Sequence, residues 1–477
     1  MSEGADSDGA ESPTFSHSTF LSPFSWRYGS PDMRRLWSEE HRRRLMRRVW
    51  VALAEAQMRA GLVSEAQVAD LRRHVEDVDL ARAQEIEREI RHDVMAEIQT
   101  FAEQSPLGGA ILHWGATSND IIDNVDVLRI RAAARLLEER LEELLLQFAE
   151  LIEATAETPV MAYTHIQPAE PTTLGYRFAV YAQDLLHNLQ QLRTLIAALR
   201  GKGLKGAVGT QASFQEIVGQ EGGASMLEEA VMEALELPYF PIATQTYPRG
   251  QDLHVMQVLA AIAASLHKLA LDFRLLQSPP FGEWQEPFGA RQVGSSAMPF
   301  KRNPINMENV CSLARFVGAL PAVAWDNASQ AVLERSLDDS ANRRLFLPEG
   351  FLAVDELLRR TTRIVAGMTL DEAAMARNIA CYGPFAATER LLMRLVAAGA
   401  DRQEAHEWIR EASMEAWERV QAGVETNPLT EILADDVRIR HFMGADELDS
   451  ALDATAYVGT APERAVALAE QIRAEIP

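Results

Sequence analysis

The 477-residue sequence predicts a nearly all-α protein organised around a bundle of long helices, and three observations carry that prediction. Apolar residues recur at alternating spacings of three and four over several long stretches, the signature of helices with one buried face. Alternating β patterns are scarce. With 47% hydrophobic and 24% charged residues the composition is ordinary for a globular chain, and the length suits two to four domains.

Taken in order, Met1 to Phe20 is rich in Ser, Gly, Asp and Glu, and the first basic side chain is Arg27. Residues 1–21 read as a disordered tail. A secretory signal needs early positive charge followed by an apolar stretch, and this segment has neither. Ser64 and Gln67 form a capping-box pattern, followed by Val68, Leu71 and Val75 on one face. The clearest helix spans about Asp126 to Thr158, with Ile130, Ala134, Leu137, Leu141, Leu144, Phe148 and Leu151 in register, and Pro159 ends it. A second helix is expected from about Pro171 to Leu199, stopped by Gly201 and Gly203. A third runs from about Asp252 to Gln277 before Pro279-Pro280, and a fourth follows Pro304 with a bend expected at Pro321. At 1.5 Å per residue such helices reach roughly 39–50 Å, too long for the middle of a small domain and suited to a bundle shared between subunits. Thr369 and Glu372 form another capping-box pattern. The expected division is a tail over 1–21, a helical domain over 22–117, a central long-helix domain over 118–368 and a C-terminal helical domain over 369–477.

The charge balance restricts the partners. Lys and Arg number 46 against 69 Asp and Glu, a formal net charge of −23. Coating nucleic acid or an anionic membrane needs a basic footprint, so neither is an expected partner. Cys311 and Cys381 are the only cysteines and have no metal or disulfide spacing, which fits a cytoplasmic setting. No unbroken apolar run approaches the roughly 18 residues of a membrane span.

Two motifs mislead. Residues 201–206 match GxGxxG, but they follow a long helix, whereas dinucleotide binding needs the glycines between a strand and a new helix. They read as a helix stop and flexible loop. His406-Glu407 begins like the zinc motif HExxH, yet Arg410 occupies the second histidine position. No metal and no cofactor is expected.

Residues 291–304 read Arg-Gln-Val-Gly-Ser-Ser-Ala-Met-Pro-Phe-Lys-Arg-Asn-Pro. Gly294, Pro299 and Pro304 indicate a mobile loop. Two hydroxyls, two cations and an amide directly before a long helix would let it fold over an anionic ligand and strengthen charge interactions by excluding water. This segment resembles the signature of the fumarase/aspartase superfamily and, within it, the adenylosuccinate lyase family, closest to the branch containing the animal enzymes. Further segments agree in family order: 25–28 (Ser-Trp-Arg-Tyr), 91–96 (Arg-His-Asp-Val-Met-Ala), 113–118 (His-Trp-Gly-Ala-Thr-Ser), 164–169 (Thr-His-Ile-Gln-Pro-Ala), 209–214 (Gly-Thr-Gln-Ala-Ser-Phe) and 337–344 (Leu-Asp-Asp-Ser-Ala-Asn-Arg-Arg).

The resemblance implies a β-elimination of fumarate from adenylosuccinate, giving AMP, and from succinylaminoimidazole carboxamide ribotide (SAICAR), giving AICAR. Such a reaction needs a base, an acid, fixed donors for the developing charge and a site for phosphate. By resemblance Ser295 is the base, its alkoxide stabilised by Lys301 and nearby backbone N–H groups, and His165 is the acid. His92 binds substrate with an auxiliary catalytic role, on a segment where Arg91 and Asp93 also bind. Thr117, Ser118, Lys301 and Asn303 are implied in carboxylate binding. Arg27, Tyr28, Arg335, Ser340 and Arg344 match ribotide and phosphate positions, and Gln245 a further substrate position. One departure stands out: Glu308 is followed by Asn309, where similar enzymes carry a substrate-binding arginine. Phe300 stands where tyrosine is common. The superfamily builds its sites across the subunits of a homotetramer. The alternatives are another fumarate-releasing lyase, argininosuccinate lyase-like for example, or a non-catalytic structural homologue.

Overall fold

The computed structural model describes residues 16–219, 222–289, 291–424 and 426–476. The first fifteen residues of the expected tail lie outside the described residues, and residues 16–20 are exposed. The chain packs as two compact units, one drawn from residues 1–139, 190–263 and 314–357, the other from 140–189, 264–313 and 358–477.

In the first unit, α1 (Glu39–Arg59) starts after Ser38, whose hydroxyl accepts the His41 N–H. Helix α2 (Glu65–His74) carries the expected capping box between Ser64 and Gln67. Helices α3 (Leu80–Ile90) and α4 (Asp93–Gln104) follow. Val49, Trp50, Leu71, Val94, Phe101, Ile121 and Val125 form one buried cluster among them.

The long helices are α5 (Ser118–Ala154), α6 (Leu174–Ala198), α7 (Gly250–Gln277), α8 (Ile305–Ser329) and α9 (Asp338–Gly367), and they contribute residues to both units. Helix α5 begins at Ser118 rather than near Asp126, because Asp120 caps the Thr117 N–H (2.9 Å) and Ile121 and Val125 extend the apolar stripe. It also ends at Ala154, before the expected stop. Helix α8 contains Pro321, as anticipated, and α9 contains Pro348. Helix α7 is long and apolar enough, by length and composition, to cross a membrane, although polar residues interrupt its apolar run. Leu259, Ile262, Leu266 and Leu269 on it are buried in the chain, whereas Leu271 and Leu275 are exposed.

Periodicity alone missed a hairpin. Strands β1 (Pro159–Thr164) and β2 (Gln167–Thr173) pair antiparallel between α5 and α6. Pro171 therefore lies in a strand, and the helix expected from it starts at Leu174. The register slips between Met161 and Tyr163, opposite the stretch bounded by Pro168 and Pro171, which have no N–H for the ladder. A second small sheet pairs β3 (Trp284–Gln285) with β4 (Thr369–Leu370). That pairing overturns the capping box expected at Thr369: the residue is in a strand, and Asp371 caps α10 (Glu372–Ala386) by accepting the Ala374 N–H. In the second unit Trp284 is fully buried, stacked on Phe178 at 5.0 Å and edge-on to Phe273 and Tyr181.

Candidate active site

The predicted residues fall into two sets, one in each unit. In the first unit, Arg91 adopts a left-handed conformation (φ 53°) that turns the chain between α3 and α4. His92 is the N-cap of α4, its Nδ1 accepting the Met95 N–H at 3.3 Å. The cap consumes the Nδ1 lone pair, so the neutral ring carries its proton on Nε2, on an exposed side chain. Asp93 Oδ2 accepts from Arg42 (3.1 Å) and Arg344 (3.2 Å). Burial raises the Asp93 pKa, but Arg42 and Arg344 outweigh it and hold the carboxyl below its usual range. Asp93 is thus committed to two arginines, and it ties the 91–93 segment directly to Arg344.

The neighbouring Arg343 belongs to a buried ionic network that sequence reasoning did not find. Arg335 donates to Asp339 Oδ1 (2.7 Å), and Asp339 Oδ2 accepts from Arg249 Nε (2.6 Å). Arg249 reaches Asp123 with both remaining nitrogens, each at 3.2 Å. Tyr247 gives its N–H to Asp123 (2.8 Å) and its hydroxyl to Asp252 (2.6 Å), while Arg343 bonds Tyr247, Asp252 and Asp126. Burial pushes the Asp123 carboxyl up, and Arg249 and Arg343 only partly offset it. Four arginines (Arg129, Arg249, Arg335, Arg343) meet four aspartates (Asp123, Asp126, Asp252, Asp339), and this balance lets the charges stay inside. A sequence signal existed: Asp120, Asp123 and Asp126 recur every third position beside buried Ile121 and Val125.

The Gln245 N–H donates to the Glu334 carbonyl at 3.2 Å, which brings it beside Arg335. A cavity of about 240 Å³ there is lined by Thr244, Thr246, Arg249, Arg335, Asp339 and Asn342. Ser340 is half-buried on the first turn of α9. Arg27 and Tyr28 sit on a turn whose N–H groups both donate to the Pro23 carbonyl, with the exposed Arg27 guanidinium 5.8 Å from the Trp26 ring and 5.9 Å from the Tyr28 ring.

Thr117 and Ser118 open α5, held by Asp120. That carboxylate accepts from Lys202 Nζ (2.6 Å), the Lys205 N–H (2.9 Å), the Gly206 N–H (3.1 Å) and the Thr117 N–H. The GxGxxG segment is therefore a fully buried turn, not the flexible loop expected. Its backbone donors cradle the protein's own aspartate where the dinucleotide motif would hold phosphate. Gly203 and Gly206 have positive φ, and a Cβ at Gly203 would lie 2.0 Å from Glu228 Oε1.

In the second unit, His165 and Ile166 form the two-residue loop of the β1–β2 hairpin, with φ of 53° and 61°. These angles are those of a type I′ hairpin turn, which demands positive φ at both positions and normally takes Asn and Gly. A β-branched Ile there is strained, and 62% of it remains exposed. The strain presents the His165 imidazole to solvent at the hairpin tip. Ser295 lies in the signature loop, and its Oγ accepts from the Ala297 N–H (3.3 Å) and the Met298 N–H (3.1 Å). The loop closes on itself: the Lys301 N–H donates to the Met298 carbonyl (3.0 Å), and Asn303 Nδ2 donates to the Gly294 carbonyl (3.2 Å). Only glycine fits at 294, since a Cβ there would lie 2.2 Å from the Lys301 carbonyl oxygen. Lys301 and Phe300 are exposed, and Asn309 is half-buried on α8. Among the described residues, no hydrogen bond or ion pair joins the side chains of Ser295, His165 and Lys301 to one another, and no cluster of His, Cys, Asp or Glu is arranged to hold a metal.

A family model described as "Lyase" matches residues 28–318, and one described as "Adenylosuccinate lyase C-terminus" matches residues 384–466. The chain superposes on a fumarate lyase from a Mesorhizobium species (TM-score 0.80, 25% identity, 93% of this chain and 97% of that one). It also superposes on the 3-carboxy-cis,cis-muconate lactonizing enzyme of Pseudomonas putida (TM-score 0.84, 27% identity, 94% and 99%). The fold and signature loop thus define a lyase of the fumarase/aspartase type. Adenylosuccinate lyase of Saccharomyces cerevisiae is 38% identical over 454 residues, 94% of this chain and 93% of that one. The adenylosuccinate lyase of Archaeoglobus fulgidus is 36% identical over 93% and 96% of the two chains. The chain belongs to the adenylosuccinate lyase family.

Proposed function

We propose that the protein eliminates fumarate from adenylosuccinate to give AMP, and from SAICAR to give AICAR. The observation that carries the chemistry is the pair of backbone N–H groups on Ser295 Oγ. A serine hydroxyl is a poor base, and fixed donors aimed at its oxygen stabilise the alkoxide that would take the proton next to a substrate carboxylate. As that proton leaves, the carbon–nitrogen bond breaks, and His165 protonates the departing nitrogen. Lys301, Asn303, Thr117 and Ser118 bind the succinyl carboxylates. Arg27, Tyr28, Arg335, Ser340 and Arg344 bind the ribotide and its phosphate, for which arginine forks are well shaped. Gln245 completes the nucleotide contacts. The His92 Nε2–H is a donor to substrate, and Arg91 and Asp93 support it.

The assembly we propose is a homotetramer with sites at subunit junctions, in a cytoplasmic setting. Exposed apolar side chains on the long helices support it: Leu271 and Leu275 on α7, Phe316 and Trp325 on α8. Ultraviolet monitoring of purified protein with adenylosuccinate tests the activity, because cleavage alters the purine chromophore. Conversion is expected with adenylosuccinate. A purified protein that ignores it but releases fumarate from argininosuccinate, aspartate or malate would replace this reading with another superfamily lyase.

A further inference from the structure

One side chain ties both stems of the loop that carries Ser295. Gln277, the last residue of α7, accepts the Glu286 N–H through Oε1 (3.0 Å) and donates from Nε2 to the Arg302 carbonyl (3.1 Å). Glu286 adds a second tie to the same base. Its buried carboxylate accepts the Asn306 N–H (3.2 Å), the Asn306 amide (2.8 Å) and the Met307 N–H (2.7 Å), seating on the first turn of α8. Arg360 braces Asn306 from α9, donating to its Oδ1 at 2.8 Å. From Arg302 the connection passes along the chain to Asn303, whose amide holds the Gly294 carbonyl beside Ser295.

We infer that Gln277 is a positioning residue for Ser295: its amide fixes the spacing between residues 286 and 302, and so the register in which the Ser295 hydroxyl meets the Ala297 and Met298 N–H groups. The inference rests on the role proposed for Ser295. An amide suits the task because it carries an acceptor and a donor on one rigid plane. Gln277 is half-buried at a helix end, and among the described residues its hydrogen bonds to the loop are to backbone atoms at the stems, so it acts through the loop and not on substrate. Each lost hydrogen bond gives the loop more conformations in which the hydroxyl is misplaced, and those conformations turn over nothing.

The test compares full-length wild type with Gln277→Met, which loses both bonds, and Gln277→Glu, which keeps the acceptor and loses the donor. Three readouts are taken: kcat and KM for adenylosuccinate, backbone amide exchange along the whole chain, and the urea midpoint. Gln277→Met is expected to lower kcat about tenfold with KM within about twofold, the scale of one to two hydrogen bonds. Exchange should quicken only at Glu286 and within 294–303, and the midpoint should hold. Gln277→Glu should fall between it and wild type. Unchanged kcat and exchange in Gln277→Met would overturn the inference. So would a loss of kcat that merely follows a lower midpoint and faster exchange throughout the chain. Were wild type to leave adenylosuccinate intact, the proposed substrate would fail, and the exchange measurement would still decide the clamp: local quickening upholds it and no change refutes it.

Discussion

Replacing His113 by asparagine should flatten the acid side of the stability profile. His113 lies in the 113–118 segment that leads into α5, and its Nδ1 accepts the indole N–H of buried Trp50 at 3.1 Å. Burial lowers its pKa to about 4; Asp120 opposes the shift and His92 reinforces it. An unfolded histidine titrates near 6.5, so below that pH the unfolded chain takes up a proton that the folded chain refuses. Stability therefore rises with pH across the window from about 4 to 6.5. Between pH 7 and pH 5 the two pKa values imply a loss of about 2 kcal/mol from this one group. Asparagine tolerates the left-handed backbone at this position (φ 64°) and retains an acceptor, but does not titrate. Urea unfolding of wild type and His113→Asn at pH 7 and pH 5 isolates the contribution of this imidazole, since the other groups cancel in the difference. Wild type should lose about 2 kcal/mol more than the variant. Parallel losses would show that the imidazole is not held neutral by burial.

Two further outcomes follow from the geometry. Ile166→Gly should stabilise the chain by about 0.5–1 kcal/mol in urea unfolding, because relief of strain at φ 61° exceeds the chain entropy glycine adds, and the largely exposed Ile side chain gives up little burial. Mixing and reassembling inactive Ser295→Ala and His165→Ala proteins should restore part of the activity, and absence of recovery despite proven subunit exchange would count against sites shared between subunits.

Much of the fold was legible because the long helices repeat apolar residues with helical spacing; Leu141, Leu144, Phe148, Leu259, Leu266 and Leu269 are all buried. The hairpin was not, since β2 carries Pro168, Ala169, Glu170 and Pro171 in place of an alternating pattern. Thr369 was misread because a two-residue strand leaves no periodic trace, so its pairing with Gln285 is invisible locally. Ser295 and His165 were singled out through resemblance, but their settings could not be read: backbone donors on Oγ and a strained turn under an imidazole depend on dihedral angles. The Asp123–Arg249–Asp339 network joins three distant segments, and only the spacing of Asp123 and Asp126 within it was written locally.

The most direct test of the central claim is steady-state cleavage of adenylosuccinate by purified wild type, Ser295→Ala and His165→Ala, each verified as folded. Wild type should turn over the substrate, and each variant should lose at least about 10²-fold in kcat, the low end for a positioned acid or base. Near-normal turnover by either folded variant would contradict the role assigned to that residue.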